Sequence, residues 1–113
     1  MRTSVRMTAR RWKPAVELEG ALQRGDLPYA VTLAAEVAED QGRPIDLGAA
    51  LRFLPLVATG DPEHYDAWAR RWLLRWSSET QASIEAIAEV AAQLADLPAE
   101  PAMLEEIRRW CPR

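Results

Sequence analysis

Apolar positions along this chain recur with the 3.6-residue period of buried helix faces, and no stretch shows the two-residue alternation of a half-buried strand. Proline and glycine divide the pattern into segments. Pro14 opens a first predicted helix that runs to Arg24, with Val16, Leu18, Ala21 and Leu22 on its packing side and Gly25 at its end. Asp26-Leu27-Pro28 starts a second that continues to Gln41. Its inner arc is Ala30, Leu33, Ala34, Val37 and Ala38, widened by Val31 and Ala35, and Gly42-Arg43-Pro44 stops it. Asp46 caps a third over Leu47 to Ala58, apolar nearly all round, in which Arg52 is the only charge. That helix is expected at the centre of the fold, with a kink or break near Leu51 to Leu54, because Pro55 removes a hydrogen bond and crowds the preceding turn.

The fourth segment carries the densest aromatic pattern. Asp61 is its expected N-cap and Pro62 its first helical residue. Trp68, Trp72 and Trp76 follow at i, i+4 and i+8. With Tyr65, Ala69 and Leu73 they cover an arc of about 140°. Each indole can bury roughly 150–250 Å². Such a row belongs against a core or a partner, and the apolar third helix calls for it as cover. Ser77 and Ser78 are expected to end this helix, with Ser78-Glu79-Thr80-Gln81 as a capping box for a fifth reaching Asp96. The stripe of the fifth is Ile84, Ile87, Ala88, Ala91, Leu94 and Ala95. A short sixth runs from about Pro101 to Trp110. The predicted fold class is all-α: five or six short antiparallel helices in a helical-hairpin array or irregular bundle.

Length and composition fit that picture. The 113 residues are 49% hydrophobic and 27% charged, a globular balance. The alanine and arginine excess, with Lys13 as the one lysine, is the composition of a GC-rich bacterial genome. The net charge of −3 is unevenly spread. Residues 1–13 hold five of the 14 basic groups (Arg2, Arg6, Arg10, Arg11 and Lys13) and no acid, leaving nine basic against 17 acidic groups beyond them. Residues 1–13 therefore read as a basic, flexible arm and 14–113 as one helical domain. Met7 offers a second start that would remove two of the arm's charges. Cys111 is the single cysteine, which excludes an internal disulfide and fits a reducing compartment. With no secretory signal and no apolar run approaching the ~18 residues of a membrane span, a cytoplasmic location is expected.

Candidate chemistry is sparse. His64 is the only histidine, no cysteine lies near it, and Asp66 stands at the wrong spacing to share its helical face. No metal ligand set, cofactor motif, phosphate loop or nucleophile elbow is present, so the chain reads as non-enzymatic. The dipole of the first turn is expected to disfavour a positive His64. Arg108 and Arg109 near Cys111 can lower its pKa, but the thiol stands in the C-terminal tail with no base within reach and reads as incidental. Asp66 and Arg70 are spaced as an ordinary i,i+4 pair. His64, Trp68, Arg71 and Arg75 share one flank of the fourth helix and form the candidate partner-binding site, where arginine planes beside an indole suit a carboxylate, a phosphate or nucleic-acid bases.

The stretch Gly25-Asp26-Leu27-Pro28-Tyr29-Ala30-Val31-Thr32-Leu33-Ala34-Ala35-Glu36-Val37-Ala38 resembles the middle of a tetratricopeptide repeat, in which a Gly-Asp turn leads to a second helix with a small residue five positions on, here Ala30. Gly60-Asp61 begins a loosely similar turn about 35 residues later. The tryptophan and small residues of the repeat's first helix are not met, since Pro14 and Leu18 stand there. The resemblance implies a non-catalytic scaffold that binds a peptide or helix. Three functions are thus expected in order: a protein-interaction module with an unidentified protein partner, which can include a second copy of the chain; a nucleic-acid-binding protein using the arm and Arg70, Arg71 and Arg75, opposed by the acidic body; and a small-ligand-binding bundle with a pocket near Pro55 lined by Trp68, Trp72 and Arg52.

Overall fold

A computed structural model describes residues 13–112. The basic arm, apart from Lys13, lies outside the described residues. The protein is all-α: seven α-helices and one 3-10 turn, with no strand among the described residues. None of these helices is long and apolar enough to cross a membrane. The chain divides between Ile45 and Asp46 into two compact units.

The first unit is a helical hairpin of α1 (Pro14–Arg24) and α2 (Leu27–Gln41). Pro14 sits in the first turn of α1, where no N–H is needed. Gly25 ends α1 at φ 74°, a left-handed conformation that costs glycine little. The Gly25 N–H reaches the Leu22 carbonyl and the Asp26 N–H reaches that of Ala21. Asp26 then accepts from the Tyr29 N–H as the cap of α2, so the hairpin turns within two residues. Leu18, Ala21 and Leu22 are buried on α1, and Ala30, Leu33 and Val37 on α2. Ala21 and Ala30 have no exposed surface, and such small side chains suit close approach of packed helices. Tyr29 adds a hydrogen bond from its hydroxyl to Glu17 across the pair. The predicted packing arcs were too wide: Val16 is 65% exposed, and Val31 and Ala35 also face water.

The second unit opens with α3 (Leu47–Leu51), capped by the Asp46 carboxylate on the Ala49 N–H at 2.8 Å. The predicted break follows at Arg52, and α4 (Phe53–Gly60) resumes with Pro55 in its first turn. Proline has no N–H to return to the Leu51 carbonyl, so the helix stops and restarts where that bond is missing. Leu47, Leu51, Phe53, Leu54 and Val57 are all buried.

The start of the tryptophan helix differs from expectation. Asp61 does not cap the backbone; its carboxylate takes the His64 ring Nδ1 at 2.8 Å. A 3-10 turn, Pro62–His64, therefore precedes α5 (Tyr65–Thr80). Its end differs too. The hydroxyls of Ser77 and Thr80 turn back onto the carbonyls of Leu74 and Trp76, and Arg75 pairs with Glu79, so the helix continues past the expected stop. No capping box forms at Ser78. Gln81 ends α5 in the left-handed region, at φ 52°, and Ser83 caps α6 (Ile84–Asp96) by accepting from the Ala86 N–H. A side chain there costs roughly 1–2 kcal/mol that glycine does not incur. Gln81→Gly is accordingly expected to raise the melting temperature by a few degrees, for about 0.5–1 kcal/mol net of the added chain entropy. An unchanged or lower melting temperature in a calorimetric scan contradicts this.

The face that α6 buries is also rotated from the predicted one. Val90 and Leu94 are buried, followed by Leu97, whereas Ile84 is 80% exposed and Ala88 and Ala95 face water. Leu97 ends α6, and a run of turns leads to α7 (Met103–Arg108), where Ile107 has no exposed surface.

The aromatic row of α5 joins these elements, as a core wall should. The Tyr65 hydroxyl donates to the Leu94 carbonyl of α6 at 2.6 Å. Trp68 stacks on Phe53 of α4 at 5.9 Å. Trp72 donates from Nε1 to the Leu47 carbonyl at the start of α3, and stacks on Trp76. Trp76 donates to the Trp110 carbonyl beyond α7 and meets the Trp110 ring edge-on. Tyr65, Trp72 and Trp76 are buried, and Trp68 is half-buried at the rim. No buried side-chain polar atom lacks a partner among the described residues. Burial, aided by the Asp66 charge, pushes the Tyr65 hydroxyl up to about 12, in keeping with a phenol that must keep its proton to donate.

Candidate functional site

The four predicted partner-binding residues, His64 in the 3-10 turn and Trp68, Arg71 and Arg75 on α5, differ in their surroundings. Trp68 turns its ring to Phe53. Arg75 is 28% exposed and holds Glu79 at 2.7 Å. His64 is well exposed but engaged with Asp61. Arg71 is exposed and has no ion-pair partner among the described residues. No cation–π contact joins any of the three basic groups to Trp68. The expected Asp66–Arg70 pair does not form, which leaves Arg70 exposed and unpaired as well. Arg70 and Arg71 precede Leu74 by four and three residues, so the three share one stretch of helix surface. Leu74 is 64% exposed.

His64 departs from the expected effect of the first turn. The hydrogen bond to Asp61, and then the Asp61 charge, raise its pKa above the ordinary 6.5. The carboxylate in contact outweighs the more distant helix dipole. Because the folded chain holds this proton more tightly than the unfolded one, the stabilising contribution is full below pH 6.5 and is lost as pH rises through the elevated midpoint. An NMR titration should place the imidazole midpoint above 6.5, and Asp61→Asn should bring it down. An unshifted midpoint in the native chain would remove the ion pair.

The same turn groups donor atoms of Asp61, Glu63 and His64 within 4.8 Å of one another. Asp61 and Glu63, rather than Asp66, are the acidic neighbours of the imidazole. The hydrogen bond between His64 and Asp61 accounts for the grouping, and all three donors come from one open surface turn.

Two concave features lie in the second unit. An open groove of ≈180 Å³ between α5 and α6 has Ala69, Leu73, Ala91 and Leu94 along it, with Asp66 and Arg70. A larger open cleft of ≈730 Å³ is lined by Asp46, Arg52, Arg108, Arg109 and Cys111, among others. Arg108 and Arg109 meet Glu105 and Glu106 at 3.6 and 3.5 Å, the i,i+3 spacing that the sequence displays. Cys111 is not activated by these arginines. Burial pushes its thiol up, Asp46 adds to the shift, and Arg108 only partly opposes it. The thiol stays protonated and is a poor nucleophile at neutral pH. Arg52 carried a usable signal, a lone cation in an apolar stretch at a proline break. Its convergence with residues from the far end of the chain had none.

Comparison with family models, with curated proteins and with solved structures finds no match for this chain.

Proposed function

We propose that the protein is a non-catalytic interaction module that docks an acidic protein segment on the outer face of α5. The observation that carries this reading is Leu74, 64% exposed, beside the unpaired guanidinium groups of Arg70 and Arg71. A free apolar side chain flanked by uncompensated cations fits a partner that offers an apolar contact bordered by carboxylates. His64, Trp68 and Arg75 border this face with partners of their own. Residues 25–38, the turn and second helix of the α1–α2 hairpin, resemble the middle of a tetratricopeptide repeat, a resemblance that implies a peptide-binding scaffold and so supports the same class of function.

The test compares the full chain with its Arg70→Glu/Arg71→Glu/Leu74→Asp variant, each immobilised and exposed to lysate of the native host. A partner retained by the native chain, lost on the variant and weakened by raised salt supports the proposal. Equal retention by both chains overturns it. Sedimentation of the two chains alone detects the case in which the partner is a second copy, whose exposed Glu85 and Glu89 on α6 supply the acidic groups.

A further inference from the structure

We propose that the cleft lined by Arg52, Arg108 and Arg109 is a binding site for a ligand carrying two or more phosphate charges. The chain has a formal net charge of −3, yet the described residues lining the cleft include three arginines, Arg52, Arg108 and Arg109, and one carboxylate, that of Asp46. One Asp46 oxygen is already occupied by the Ala49 N–H. Arg52 comes from the break between α3 and α4, in a stretch otherwise without charge from Leu47 to Ala58. Arg108 and Arg109 come from the last turn of α7 and its C-cap, where the negative end of the helix favours cations.

The two glutamates near this pair do not close the site. Glu105 and Glu106 approach at 3.6 and 3.5 Å, beyond a good charged hydrogen bond, and the four side chains are 45–74% exposed. Pairs of that kind hold weakly in water. A phosphate group offers each guanidinium two oxygens in the geometry its fork requires, and so displaces them. The size fits as well: ≈730 Å³ exceeds the space of one phosphate and lies within the range of clefts that take small organic ligands. Free polyphosphate and a phosphorylated small molecule share this chemistry.

Calorimetric titration of the full chain at low ionic strength tests the assignment, with inorganic pyrophosphate and ATP as probes. One saturable site is expected for pyrophosphate. Arg108→Gln/Arg109→Gln should weaken it about tenfold or more, with helicity unchanged by circular dichroism. Arg52→Lys, which keeps the charge and loses the fork, should weaken it severalfold. Arg70→Gln/Arg71→Gln, outside the cleft, should leave it intact. Tighter binding of ATP assigns the ligand to phosphorylated small molecules and equal constants to free polyphosphate, and both support the site. Absence of saturable binding overturns the proposal. So does binding that survives Arg108→Gln/Arg109→Gln, or that falls equally in Arg70→Gln/Arg71→Gln.

Discussion

Trp76→Ala should cost about 3–5 kcal/mol of stability, the range for removing a large aromatic side chain from a packed core. Trp76 is 2% exposed, stacks on Trp72 at 6.2 Å, and meets Trp110 edge-on at 5.9 Å. Its Nε1 also satisfies the Trp110 carbonyl at 2.9 Å. Alanine removes the ring contacts and the donor together. A domain of this size has roughly 5–15 kcal/mol in all, so the variant will sit near the edge of folding. Urea denaturation followed at 222 nm should show the midpoint lowered by about 2 M. Trp76→Phe separates the contributions: it keeps an aromatic ring and loses the Nε1 donor, and should cost about 1–3 kcal/mol. A loss below about 1 kcal/mol for Trp76→Ala would mean that the row is not a core wall.

Ile107→Ala should cost about 2–5 kcal/mol, and its effect should be concentrated in one place. Helix α7 has six residues, too few to be stable in isolation, and Ile107 is its one buried side chain. The C-terminal segment then loses its anchor, and the Trp110 carbonyl withdraws from Trp76. Hydrogen exchange should accelerate over residues 103–111 while α5 stays protected, and tryptophan emission should move to longer wavelength. Uniform acceleration through α5, or unchanged exchange at 103–111, would contradict this account. Arg108 and Arg109 follow Ile107 directly, so the same variant should weaken any anion binding in the cleft without touching a guanidinium.

Much of the fold was legible because its punctuation is local. The bounds of α1 and α2 follow from Pro14, Gly25, Asp26, Pro28 and Gly42, each of which acts on the backbone within a turn of itself. The break at Arg52 was legible for the same reason, since Pro55 removes one identifiable bond. The end of α5 was not. Ser77 and Ser78 read as the stop and Thr80 as part of the next capping box, but the Ser77 and Thr80 hydroxyls bond to carbonyls of α5 itself. The residue that does end it, Gln81, lacks the glycine signature of a left-handed position. The buried face of α6 was misplaced by counting Ile84 and passing over Val90. Periodicity defines an arc, and only the elements packed against it decide which edge is covered.

The candidate site was legible in part. Arg71 stands exposed on the predicted flank. Its neighbours Trp68 and Arg75 turned to Phe53 and Glu79, contacts that depend on where other side chains lie. The arginine cleft joins residues from opposite ends of the second unit, a proximity that helical spacing does not encode.

The aromatic row has a consequence for which substitutions the chain tolerates. Tyr65, Trp72 and Trp76 each donate to a main-chain carbonyl, those of Leu94, Leu47 and Trp110. Every residue type supplies a carbonyl, but only a few side chains supply a long, rigid donor. The dependence is therefore one-sided. A saturation library should find the three donor positions nearly invariant, whereas Leu47 and Leu94 should accept isoleucine or methionine, limited by volume alone. Neutral drift in this protein would then proceed on the acceptor side of the network while α5 holds its letters.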